Sequence, residues 1–150
     1  MAYLIRPVAQ SDMAGVYSVE KECFDDPYPV QFLDDLVEIQ GDRFFVAVEN
    51  GKVVGYSVGT PDGHIMSVAV DPRHRRQGIG TRLLSAVIRQ IMRNGTKEIY
   101  LEVRKGNTSA ISFYERRGFR ISSEIRHYYP DGEDAWVLRR RAESPLPNNV

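Results

Sequence analysis

The sequence predicts an α+β fold, a mixed and mostly antiparallel sheet flanked by helices, and three observations carry that prediction. Three apolar runs between Phe44 and Val70 are separated by the turn residues Asn50-Gly51 and Pro61-Asp62-Gly63, the pattern of an antiparallel meander. From Gly78 the apolar period lengthens to about 3.6, with Ile79, Leu83, Leu84, Val87, Ile88, Ile91 and Met92 on one helical stripe. Alternation then returns at Ile99, Leu101 and Val103, which makes a β-α-β unit whose two strands should run parallel. With 150 residues, 42% hydrophobic and 27% charged, the chain has the size and composition of one domain around one core.

The first strand reads Tyr3-Leu4-Ile5-Arg6 and is closed by Pro7, after which Ser11 or Asp12 can cap a helix running to about Phe24. Asp25-Asp26-Pro27-Tyr28-Pro29 breaks it. Phe32, Leu33, Leu36, Val37 and Ile39 recur at helical spacing and predict a second helix over 30–39. The meander occupies 44–48, 53–58 and 64–70, its last strand ended by Asp71-Pro72. The long helix stops near Asn94-Gly95, and a further one over 109–117 stops at Gly118. Phe119-Arg120-Ile121 then opens a hairpin through Asp131-Gly132 to Trp136-Val137-Leu138. The domain is expected over 1–141, with 142–150 a flexible tail too poor in apolar residues to dock.

Charge narrows the function. Lys plus Arg number 20 and Asp plus Glu 20, so no global field draws the chain to nucleic acid or to a membrane, and neither partner is expected. The run Arg139-Arg140-Arg141 reads as a solvated strand end. The first residues lack the regions of a signal peptide, and no apolar stretch approaches the roughly 20 residues that span a bilayer, which points to a cytoplasmic protein. Cys23 is the one cysteine and reads as a half-buried small apolar residue. No metal-ligand cluster or redox motif is present.

Directly after the fourth strand comes Arg73-His74-Arg75-Arg76-Gln77-Gly78-Ile79-Gly80-Thr81, a basic, glycine-containing loop that opens the amphipathic helix. A helix N-terminus offers unpaired N–H groups and partial positive charge, and glycine lets a pyrophosphate approach the backbone. The plain alternative is that Gly78 and Gly80 only allow close packing. A P-loop would need Lys before Ser or Thr, and Thr81-Arg82 follows Gly80 instead. A Rossmann fingerprint would need three glycines near the first strand of a parallel sheet, whereas this loop sits mid-chain after an antiparallel run.

Val70-x-Pro72-x-x-Arg75-Arg76-x-Gly78-Ile79-Gly80 resembles the acetyl-CoA signature of the GNAT superfamily. A second element of that family is similar to Asn107-x-x-Ala110-x-x-Phe113-Tyr114-Glu115-x-x-Gly118-Phe119. The resemblance covers almost the whole chain and implies a sheet of seven strands, splayed between the fourth and fifth, with about four helices. It implies that acetyl-CoA is the cosubstrate, with its pantetheine arm along Val68, Ala69 and Val70. Its pyrophosphate would lie on Arg75, Arg76, Gln77, Gly78, Ile79, Gly80 and Thr81, with Asn107 and Tyr114 beside the arm.

Acetyl transfer to an amine needs a neutral amine, stabilisation of the oxyanion and a proton for the departing thiolate. An α-amino group, with an ordinary pKa of about 7.7–8.0, asks less of a base than a lysine near 10.4. Glu102 faces away from Leu101 and Val103, and on periodicity alone it is a solvated carboxylate. Leu101-Glu102-Val103-Arg104-x-x-Asn107 resembles the bacterial RimI type and archaeal N-terminal acetyltransferases, which implies that Glu102 is a general base. His64 begins a strand similar to theirs and can share that work. Tyr114 retains its proton at neutral pH and is the candidate acid, with Phe113 packing.

The segments 24–32 and 127–135 resemble those flanking the peptide groove of N-terminal acetyltransferases, which implies that Tyr28, Tyr128 and Tyr129 bind substrate. The substrates implied are protein N-termini, including nascent chains at the ribosome. Two positions depart from the family pattern. Gly106 stands where the RimI type usually has serine, and Asp25 and Asp26 occupy a loop that is often apolar in related enzymes. The alternatives are acetylation of a small-molecule amine or an internal lysine, and an inactive acyl-CoA-binding sensor.

Overall fold

The computed structural model describes residues 2–143. Strands β1 (Tyr3–Pro7), β2 (Phe44–Glu49), β3 (Lys52–Gly59) and β4 (Ile65–Val70) form an antiparallel sheet in that order. Strands β5 (Glu98–Arg104), β6 (Arg120–Ile125) and β7 (Ala135–Arg141) form a second antiparallel sheet, with β7 in the middle. The two sheets meet at one parallel bridge, His64 with Tyr100, where the Tyr100 N–H also donates to the Gly63 carbonyl at 3.0 Å. Past that bridge β4 and β5 part. The expected seven-stranded sheet is therefore two sheets hinged at a point, because β5 pairs along its whole length with β7 and follows that ladder rather than β4.

Four helices cover the sheets. The α1 (Met13–Cys23) and α2 (Val30–Ile39) helices bury Met13, Val16, Val19, Leu33 and Leu36 against Phe44, Val46, Tyr56 and Val58. On the other face α3 (Ile79–Met92) buries the whole predicted stripe except its last residue, Met92, which is exposed. Between these two layers β3 is buried continuously from Val53 to Gly59 instead of alternating. The short α4 (Thr108–Glu115) adds Tyr114 to a cluster with Leu84, Leu101, Val103 and Phe119.

Three expectations are corrected. Neither Ser11 nor Asp12 caps α1 with its side chain: buried Asp12 turns back to accept the Ala9 N–H at 2.7 Å and two bonds from Arg6 at 2.8 and 2.9 Å. A short 3-10 turn, Gln10–Asp12, fills the gap. β6 runs on to Ile125, and its uniformly exposed residues give no alternation by which to find its end. The docked chain also continues past residue 141, since buried Ala142 donates its N–H to the Lys97 carbonyl at 2.8 Å. The rest of the expected tail, 144–150, lies outside the described residues. Among the described residues no helix is long and apolar enough to cross a membrane.

Buried Glu20 ties the segment after α1 to the sheet. Its carboxylate accepts from the Tyr56 hydroxyl and from the Tyr28 N–H, the latter at 2.9 Å, and burial pushes its pKa up. A carboxylate this deep is tolerated because both oxygens have partners. The result places Tyr28 beside the mouth of the gap between β4 and β5, where its hydroxyl donates to the Met66 carbonyl at 3.4 Å.

Candidate active site

The parting of β4 from β5 leaves one edge of β4 without a strand partner. The Asp71 N–H donates to the Val54 carbonyl at 2.8 Å, which fixes the alternation along β4. Ala69 therefore pairs inward with Tyr56, while Met66, Val68 and Val70 turn their backbone groups to the gap. Of the three residues expected along the pantetheine, Ala69 has its backbone committed to β3. The Val70 carbonyl is also taken, by Arg75 Nε at 3.1 Å and by the Cys23 thiol at 3.3 Å. Among the described residues nothing takes the outward backbone groups of Val68 or the Val70 N–H. At the open end of the gap lies a cavity of about 350 Å³ lined by Cys23, Phe24, Asp25, Asp26, Arg104, Gly106, Asn107 and Glu133.

The turn after β4 is built to expose N–H groups. Asp71 accepts the Arg73 N–H at 3.0 Å and pairs with its guanidinium, which holds its carboxyl at about 2. Arg76 and Gly78 both take the left-handed backbone, with φ of 66° and 79°, and Tyr3 donates its hydroxyl to the Gln77 carbonyl at 3.2 Å. Gly78 caps α3, and the first N–H accepted by its carbonyl is that of Arg82, at 3.1 Å. Among the described residues no backbone carbonyl outside the helix accepts from Ile79, Gly80 or Thr81, so three donors point off the helix start. Gly80 also serves packing, since a Cβ there would lie 3.3 Å from Phe113. Thr81 offers only its N–H, because its buried hydroxyl accepts from Arg117 at 2.8 Å. Asn107 spends its Oδ1 on the Ala110 N–H at 3.1 Å as the cap of α4, leaving its amide NH₂ at the cavity wall.

His64 and Glu102 form one unit: Nε2 stands 2.7 Å from Glu102 Oε1, and the imidazole stacks on Tyr100 with 4.8 Å between centroids. With the carboxylate ionised, the imidazole N–H is the donor. Tyr114 lies in the cluster with Leu101 and Val103, which Val68 also borders, so it occupies the opposite face of β5 from Glu102. Burial pushes its phenol well above its ordinary value and keeps it protonated.

On the Glu102 face the three predicted tyrosines come together. Tyr128 and Tyr129 meet edge to face at 4.9 Å, and burial together with the charge of Glu102 raises the Tyr128 phenol. Tyr28, tilted against Phe32 with 4.8 Å between ring centroids, is pushed up to about 12 by burial and then by Tyr128, Glu20 and Glu102. Sequence reading passed over Arg104, which binds Asp26, Asp131 and Glu133 and lies 4.1 Å over the Tyr129 ring. The signal was present: strand alternation sets Arg104 on the same face as Glu102.

Residues 13–119 match the Acetyltransferase (GNAT) family. The chain is 34% identical to an N-alpha-acetyltransferase of Sulfurisphaera tokodaii, covering 91% of each protein. It is 31% identical to the [ribosomal protein bS18]-alanine N-acetyltransferase of Escherichia coli, covering 89% of this chain and 94% of the other. The crystal structure of Ard1 from Thermoplasma volcanium superposes with a TM-score of 0.88 at 31% identity, over 94% of this chain and 98% of that one. A parted strand pair, a donor-rich helix start beside it and these likenesses agree: the chain belongs to the acetyltransferase (GNAT) family.

Proposed function

We propose that the protein transfers the acetyl group of acetyl-CoA to the α-amino group of other proteins' N-termini. The observation that carries this reading is the position of the His64–Glu102 pair, 2.7 Å apart, between the gap along β4 and a wall of three tyrosines. Acetyl-CoA supplies the acetyl group as a thioester. The residues fit it: the free N–H groups of Ile79, Gly80 and Thr81 suit a pyrophosphate, and the unpaired edge of β4 at Val68 suits an amide-bearing arm. Glu102, with His64, takes a proton from the attacking amine through water. Tyr114 donates its hydroxyl hydrogen toward the departing sulfur from the other face. Tyr28 and Tyr128 are 36% and 45% exposed, as a groove open to a peptide requires rather than a closed pocket for a small amine.

An acetyl-CoA assay over short peptides with varied first residues, set beside α-blocked peptides and polyamines, tests the substrate class. Free α-amino peptides are expected to turn over and their blocked counterparts to be inert. Polyamine or blocked-peptide turnover at equal rates defeats the proposal. The coenzyme site has its own test in Gly78→Val. The left-handed φ of 79° strains a β-branched residue, so acetyl-CoA affinity by calorimetry is expected to fall by about tenfold or more.

A further inference from the structure

We propose that Arg104 is a positioning residue for the peptide: it fastens the loop after α1 to the β6–β7 hairpin and so sets the width of the substrate groove. This rests on the peptide reading above. Arg104 ends β5, two residues beyond Glu102 and on the same face. Its Nη1 donates to Asp131 at 2.9 and 3.0 Å and to Glu133 at 2.9 Å, both on the hairpin. Its Nη2 donates to Asp26, on the loop after α1, at 2.9 Å. The guanidinium lies 4.1 Å over the ring of Tyr129, one of the three tyrosines of the groove. A planar fork with several donors can hold three carboxylates and an aromatic face at once, which an ammonium cannot.

Both departures from the family pattern belong to this network. Asp26, in a loop often apolar elsewhere, is the arm from the first side. Gly106, where serine is usual, gives its N–H to Glu133 Oε2 at 2.9 Å, and a Cβ there would lie 2.9 Å from the same oxygen. The glycine therefore makes room for the carboxylate that Arg104 grips. Arg104, Asp26, Gly106 and Glu133 all line the cavity at the open end of the gap, so a change in their spacing changes the groove. Arg104 and then the Gly106 N–H hold Glu133 below the usual carboxylate range, and the Glu133 N–H and then Arg104 do the same for Asp131. Without the guanidinium, three carboxylates would face one another and push the loops apart.

The test pairs hydrogen exchange of the ligand-free protein with steady-state kinetics. In Arg104→Gln and in Asp26→Asn, the amides of 24–30 and 127–134 are expected to exchange several-fold faster than in the wild type, the arginine variant more so. Peptide KM is expected to rise about tenfold in Arg104→Gln and less in Asp26→Asn, with kcat within about twofold and acetyl-CoA affinity unchanged. Arg104→Lys should recover part of the KM. Unchanged exchange in both variants overturns the proposal, as does a matching loss of acetyl-CoA affinity, which would make Arg104 a coenzyme contact. A KM increase without faster exchange also overturns it, by making Arg104 a direct peptide contact. Should Arg104→Gln not fold, Asp26→Asn and Glu133→Gln carry the same comparison. If the wild type acetylates no peptide, the functional reading fails, while exchange still decides whether the fastening exists.

Discussion

Tyr114→Phe is expected to lower kcat by about a hundredfold or more while acetyl-CoA affinity stays within about threefold, because a positioned general acid contributes 10²–10⁴-fold. The substitution removes one oxygen from a ring that stays packed between Phe113, at 5.0 Å, and Phe119, at 5.4 Å. Burial and the Arg117 charge are what act on the phenol, and among the described residues none is hydrogen-bonded to it, so its loss leaves none of them unpaired and stability should hold. A thiol has an ordinary pKa of about 8.5, below that of a buried phenol, so complete transfer to a free thiolate runs uphill. The useful act is a hydrogen bond that strengthens as negative charge gathers on the sulfur, which lowers the barrier without stabilising the bound thioester. Single-turnover kinetics beside calorimetry separate the two effects, and equal turnover in both proteins would remove Tyr114 from the chemistry.

The second large effect is expected from Glu102→Gln combined with His64→Ala. At pH 7 activity on an α-amino peptide should fall by about tenfold or more, and the pH optimum should move upward. The sign follows from the substrate. Without a base to receive its proton, only peptide whose amine is already neutral reacts, and that fraction is about a tenth at pH 7 for an amine near 7.7–8.0. The variant's rate should climb with pH until the amine is fully neutral. Because the two groups share one 2.7 Å contact, they act as a unit, and the double variant should be little worse than the weaker single variant. A pH profile identical to the wild type would contradict both roles.

The α3 stripe, the Asn50-Gly51 hairpin and the basic loop were legible because each depends on local periodicity or on a residue type with one conformational use. Ile79 through Ile91 are buried as the pattern requires, and Gly78 takes the left-handed turn that opens the helix. The parting of β4 and β5 was legible only through resemblance, since a β-α-β pattern specifies parallel strands but not the extent of their ladder. The extent of β6 was hidden because none of its residues is buried. The committed groups of Thr81, Ala69 and Asn107 were hidden for another reason: their partners, Arg117, Tyr56 and Ala110, are set by packing or by the turn's geometry. Arg104 and Glu20 were missed because a charge in a strand or an amphipathic helix reads as solvated until its partners are brought to it.

The hinge between the two sheets has one more consequence. On the open edge of β4, among the described residues, the Val68 backbone amide and the Val70 N–H have no partner on a neighbouring strand. Those groups must be answered by water, or by a guest whose own amides stand at strand-like intervals, so a slender polyamide chain acts there as the missing rung of the ladder. An occupant of that kind ties together two strands that otherwise meet at a single bridge and adds to the side-chain core the two sheets share, and its departure restores an unguarded edge in the interior.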